Sequence, residues 1–261
     1  MSAAPSLYVR GDSLFHRINP RAKLVLVACV SVAAYVFSHP LYVAVPLAAS
    51  LLALTWAGSL HKLRRVWFIL VMLFLVGFVV WPAYEPAVGP TWVETPLFTL
   101  SRHEILFALG RSERIVTFIV AGFAFVTTTS NEEIIAALRG FKLPYAFCFA
   151  LGTALRLFPT FLGATGTVKQ AQEARGLDLS EGGPLQRMRN YIPLLIPVLM
   201  TAVRQVNAQS MALEARGFDT GRERTFYGEP AFTGRDWGVV ALSLVIVVAA
   251  VALSQVGVGM L

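Results

Sequence analysis

Arginine carries five hydrogen-bond donors in a rigid fork, suited to docking against carboxylates and backbone carbonyls. Two arginines in this chain sit in matching surroundings. Residues 171–178 read Ala-Gln-Glu-Ala-Arg-Gly-Leu-Asp, and residues 212–219 read Ala-Leu-Glu-Ala-Arg-Gly-Phe-Asp. The shared pattern, Ala-x-Glu-Ala-Arg-Gly-apolar-Asp, recurs at a spacing of 41 residues. One copy is an ordinary helix ending, with good helix formers, a cation in the last turn that complements the helix dipole, and glycine just past the end. Two copies exceed that need. A helix stop does not require the same Ala, Glu and Asp around each arginine. The repeat therefore reads as two guanidinium-bearing helix tips, Arg175 and Arg216, matched to two similar grooves on a two-lobed partner.

The rest of the chain is poor in chemistry. The four lysines follow Ala22, His61, Phe141 and Val168, so no Gly-Lys-Ser/Thr loop exists to cradle nucleotide phosphates. His103-Glu104 lacks the second histidine of a zinc-protease helix, and His16, His39 and His61 are scattered. Cys29 and Cys148 have no Cys or His partner at metal spacing and read as small packing residues. No metal or cofactor is expected. Ion-coupled carriers need ionisable groups in mid-membrane, and here only Arg111, Glu113 and Arg114 are candidates. They read as charges paired within the bundle or snorkelling outward. The rival from another class is a membrane-bound enzyme with its site at these three residues.

The elements that position the arginines follow from composition. The chain is 261 residues, 56% hydrophobic and 14% charged, against about 25% charged in a soluble domain. That marks an all-α polytopic membrane protein. Its net charge is +7 with a pI near 9.8, which here reports topology rather than nucleic acid. Residues 1–129 are expected to form a membrane bundle of four spans, near 22–38, 41–60, 66–81 and 105–129. Residues 82–101 form a Pro-, Gly- and Thr-rich connection without Lys or Arg. Residues 130–235 form a cytoplasmic and interfacial coupling-helix region, and residues 236–261 a final span. Within the middle region, Leu143–Val168 and Tyr191–Val203 are apolar stretches, each leading into one copy of the octad. Arg156, Pro159 and several glycines interrupt the first, and Glu181-Gly182-Gly183-Pro184 separates the two. Leu195, Leu199, Ala202, Val206 and Leu213 share a helical face in the second.

Lys and Arg set the orientation. Arg10, Arg17, Arg21 and Lys23 precede or open the first span; Lys62, Arg64 and Arg65 lie between the second and third; 12 of the 22 lie in 130–235. The positive-inside rule puts the N-terminus, the 61–65 loop and both octads in the cytoplasm. About five spans then leave the C-terminus outside.

The chain resembles the transmembrane T component of energy-coupling factor transporters, including the cobalt-transport Q subunits. The resemblance is carried by Asn19-Pro20-Arg21-Ala22-Lys23-Leu24, by Thr128-Thr129-Ser130 ahead of Glu132, by Leu143-Pro144, by Leu155-Arg156-Leu157-Phe158-Pro159, and by both Ala-Arg-Gly ends. It implies a non-catalytic subunit of the cell membrane that joins two ABC-type ATPase subunits to a membrane-embedded substrate-binding S component. It implies that Arg175 docks in one ATPase and Arg216 in the other. Ala174, Gly176, Ala215 and Gly217 would permit close approach, and Glu173 and Glu214 would orient the tips. ATP-driven motion of the two helices would reorient the S component for vitamin or metal-ion uptake. A dedicated cobalt or nickel permease subunit is the same machine with a narrower cargo. The lipid bilayer is the remaining partner, and no nucleic acid is implied.

Overall fold

The computed structural model describes residues 13, 15–58, 60–83, 91–94, 99–179, 182–218, 231–257 and 259. Local chemistry starts the helices where the sequence places the signals. Asn19 caps α1 (Pro20–Val36), its Oδ1 accepting the Arg21 N–H at 3.0 Å, with proline in the first turn. His39 caps α2 (Pro40–Trp56) in the same way. The chain continues into α3 (Leu60–Val80) and a single 3-10 turn at Trp81–Ala83. Reciprocal capping boxes open α4 (Arg102–Thr128) with Ser101 and Glu104, and α5 (Asn131–Gly140) with Ser130 and Glu133. A third, Thr233 with Asp236, opens α9 (Gly234–Gln255). The expected spans match α1, α2, α3, α4 and α9 within a few residues at most ends, α3 beginning earlier, at Leu60.

The connection before α4 departs from the helical pattern. Strands β1 (Thr91–Glu94) and β2 (Thr99–Ser101) pair antiparallel, with an irregularity between Thr91 and Val93. Thr, Val and Leu at these positions suit a short ladder, a signal masked in the sequence by the surrounding prolines and glycines.

The contacts divide the chain into two units. The first comprises residues 1–143 and 230–261. Within it α4 packs against α1, α2 and α3, α9 lies along α1, and α5 lies on α1. Leu54, Leu70, Val120 and Ala124 fill one buried cluster, and Ala33, Phe37, Val43 and Ala250 another. Small residues bring backbones together, as in membrane helix packing generally: a side chain at Gly110 would collide with the Ser38 carbonyl of the α1–α2 turn. That turn is also tied to the far end of α9, since the Ser38 and His39 N–H groups both donate to the Gly259 carbonyl at 3.0 Å.

The second unit, residues 144–229, contains α6 (Tyr145–Glu173), α7 (Pro184–Asn190) and α8 (Ile192–Ala215). Helix α6 packs on α8, and α7 packs on the start of α8. The interruption expected in 143–168 does not occur: α6 is one 29-residue helix running through Pro159. Proline costs one backbone bond but is tolerated in apolar helices whose remaining ladder holds. By length and composition three helical stretches can cross a membrane: Tyr145–Glu173, Pro184–Ala215 and Gly234–Gln255. Pro40–Trp56 and Val66–Val80 are shorter apolar helices. The stretches read from sequence as interfacial are thus also long enough to span, because the interruption inferred at Pro159 leaves α6 whole and α8 runs through Pro197.

Candidate functional site: paired arginine helix ends

The two octads close their helices in the same way. At the end of α6 the Gly176 N–H donates to the Glu173 carbonyl at 3.0 Å and the Leu177 N–H to the Gln172 carbonyl at 3.0 Å. At the end of α8 the Gly217 N–H donates to Glu214 at 2.9 Å and the Phe218 N–H to Leu213 at 3.0 Å. Each set is a Schellman motif, the crossed pair of bonds that satisfies the last orphan carbonyls of a helix. It requires a left-handed residue, and Gly176 and Gly217 supply it with φ of 88° and 70°. The glycines therefore have a backbone reason to be there. A side chain at Gly176 would meet nothing within 4 Å, so intrachain crowding is not that reason.

The arginine in each copy is the last residue before the turn. Arg175 and Arg216 are exposed, as are Glu173, Ala174, Gly176, Glu214, Ala215 and Gly217. Neither guanidinium has a hydrogen bond or ion pair among the described residues. The two glutamates turn back onto their own helices. Glu173 Oε1 lies 3.6 Å from Lys169 Nζ, and Ser210 Oγ donates to Glu214 Oε1 at 3.3 Å. Both are i to i+4 pairs typical of an exposed helix face. The apolar residue after each glycine has a different setting at the two tips. Phe218 packs in tilted ring contacts against Phe149 and Tyr145 of α6, with ring centroids 4.5 Å and 6.2 Å away. Leu177 instead lines an open depression of about 460 Å³ with Lys169, Glu173, Gly176, Asp178 and Leu179. Asp219, the last residue of the second octad, lies outside the described residues.

The rival trio on α4 is split between different neighbours. Arg114, 6% exposed, donates from Nε to the Ala34 carbonyl at 3.0 Å and from a terminal nitrogen to the Phe37 carbonyl. It caps the end of α1, and its guanidinium lies over the Tyr35 ring. Arg111 lies over the rings of Trp81 and Phe107, 5.1 Å and 4.8 Å from their centroids. Arg111 Nε and Glu113 Oε2 are buried without hydrogen-bond partners among the described residues. A side chain at Gly163 or Gly166 of α6 would meet nothing within 4 Å among the described residues.

A cluster that sequence patterning did not single out as a site lies at the start of α1. Lys23, 1% exposed, donates from Nζ to the Thr128 carbonyl at 2.9 Å and the His16 carbonyl at 3.4 Å. The Asn19 N–H donates to Asp236 Oδ1 at 2.7 Å, while Asp236 Oδ2 accepts from Thr233. The Arg21 guanidinium occupies the space where Gly140 would otherwise carry a side chain. The one signal available beforehand was a lysine opening an apolar run, since a charge there needs a partner.

Helix content and apolar helices long enough to cross a membrane define an all-α polytopic membrane protein. The chain belongs to the family described as cobalt transport protein, CbiQ, whose model matches residues 11–227. It is similar to the energy-coupling factor transporter transmembrane protein EcfT of Acidaminococcus fermentans, at 28% identity over 257 residues, covering 93% of this chain and 94% of the relative. The same-named protein of Bacillus subtilis is 28% identical over 258 residues, with 93% and 94% covered. That of Bacillus selenitireducens is 29% identical over 258 residues, with 94% of each covered.

Proposed function

We propose that this chain is the coupling component of an ATP-driven importer, receiving work from two ATPase subunits of the ABC type through Arg175 and Arg216. The observation that carries this reading is the pair of helix ends. Two helices finish with the same crossed hydrogen bonds, and each offers an exposed guanidinium with no partner among the described residues. A fixed five-donor fork at a rigid helix end is suited to insertion into a carboxylate- or carbonyl-lined groove. Such a contact passes displacement along a helix without local chemistry. The names of the relatives support a place in an energy-coupling factor transporter.

The distribution of Lys and Arg puts both tips on the cytoplasmic side, where ATP is available. Helices α6 and α8 would carry the motion to a membrane-embedded substrate-binding subunit. Their exposed Phe147, Phe158, Leu195, Leu199 and Val206 offer apolar surface to it and to lipid. The cargo, a vitamin or a metal ion, would be chosen by that subunit. The chain itself would catalyse nothing.

Co-purification tests the assembly. The intact chain should bring down two ATPases, and the chain alone should turn over no substrate. The double variant Arg175→Ala with Arg216→Ala should reach the membrane at normal levels yet lose ATP-driven uptake. Undiminished uptake by that variant refutes the coupling role.

A further inference from the structure

We infer that Asn19, Arg21 and Lys23 form a clamp that holds together the two points where the chain leaves and re-enters the first unit. In chain order, α4 and α5 lead out of that unit at Leu143, and α9 is the first helix after the return. A five-residue stretch at the head of α1 grips all three. Lys23 Nζ bonds the Thr128 carbonyl, at the last residue of α4. Arg21 lies against Gly140, the last residue of α5. The Asn19 backbone bonds Asp236 in the first turn of α9.

The clamp is expensive to open. Lys23 and Asp236 are buried, so separating either from its partners strands a charged group in a poorly hydrated place. Gly140 matters because any side chain there displaces the Arg21 guanidinium. The exit and return of the chain therefore behave as one fixed base. The inference rests on the coupling role proposed for the two helix tips. If work enters at Arg175 and Arg216, a fixed base makes α6 and α8 move at their tips rather than at their roots. Asn19, Arg21 and Lys23 are then positioning residues for coupling, touching neither ATPase nor cargo.

The test uses the full chain with its ATPases in nanodiscs, Cys29 and Cys148 replaced by alanine, and spin labels placed in pairs. One pair, Glu132→Cys with Arg235→Cys, reads the base. The other, Thr167→Cys with Asn207→Cys, reads α6 against α8. All four positions are exposed. In the intact chain the base pair should give one narrow distance that is the same without nucleotide and with vanadate-trapped ATP, while the helix pair shifts. Arg21→Ala should broaden the base distance in both states and shrink the ATP-driven shift, with ATP hydrolysis continuing. Gly140→Leu reaches the same result by a second route, leaving Arg21 in place as a check against simple misfolding. Arg21→Lys, which keeps a cation, should restore part of the narrow distance. A base distance that stays narrow in both Arg21→Ala and Gly140→Leu overturns the clamp. The base pair alone decides this, with or without nucleotide. A helix pair that never responds to ATP in the intact chain counts instead against the coupling role.

Discussion

The two units differ in how much of their side-chain surface they bury within the chain. In the first, Leu54, Val43 and Val120 are sealed from solvent, and buried charges such as Lys23, Arg114 and Asp236 are each held by carbonyls or N–H groups. In the second, α6 buries only Cys148 and α8 only Leu194, while α7 leaves Leu185 and Met188 85% and 73% exposed. The first unit thus has a sealed core, although Tyr35, Trp56, Phe68 and Val245 on its outer faces are exposed. The second buries little, and carries exposed apolar faces and two exposed arginines that are unpaired among the described residues.

Substitutions can break this contrast or sharpen it. The largest effect is expected at Leu54, whose replacement by alanine should cost about 3 kcal/mol through lost packing. Leu199→Ala in the second unit should change the stability of the isolated chain by less than about 0.5 kcal/mol. Thermal unfolding in detergent measures both, and equal losses would erase the distinction. Asp236→Ala strands the Asn19 and Thr233 N–H groups and should cost about 2 kcal/mol, seen as faster amide exchange at the start of α9. Gly217→Ala forces a side chain into a left-handed turn at a cost of about 1 kcal/mol, confined to the last turn of α8. Fraying detected by exchange at Leu213–Phe218, with the rest of the helix unchanged, checks it. The smallest effect is Glu173→Gln, which removes an exposed pair with Lys169 worth about 0.3 kcal/mol. A large stability loss there would mean that the second unit is more tightly built than its exposure indicates.

The helices of the first unit were legible because each begins with a local signal and continues in an apolar run. Asn19-Pro20, Ser130 three residues before Glu133, and Thr233 three before Asp236 are all visible in one dimension. The glycine after each arginine was legible for the same reason, since a helix stop is a local event. What was hidden depends on distant partners. Arg114 looked like a charge seeking a counter-charge or the interface. It satisfies the open end of α1 with carbonyls some 80 residues away in sequence, and carbonyls carry no sequence signature. The clamp at Lys23 was hidden likewise, its partner being the backbone of Thr128. Pro159 misled in the other direction, because a proline weakens one bond of a helix that has many others.

The crossed hydrogen bonds at the two tips have a further consequence for engineering. Because the turn begins immediately after the arginine, the bearing of each guanidinium is set by counting residues along its helix. One residue inserted into α6 ahead of Glu173 would swing Arg175 by about 100° and advance it about 1.5 Å. Seven inserted residues would restore the bearing to within about 20° while lengthening the helix by about 10 Å. Each tip thus has a set bearing as well as a set position. Variants that differ only in inserted length would separate the direction in which a partner needs the arginine from the reach at which it needs it.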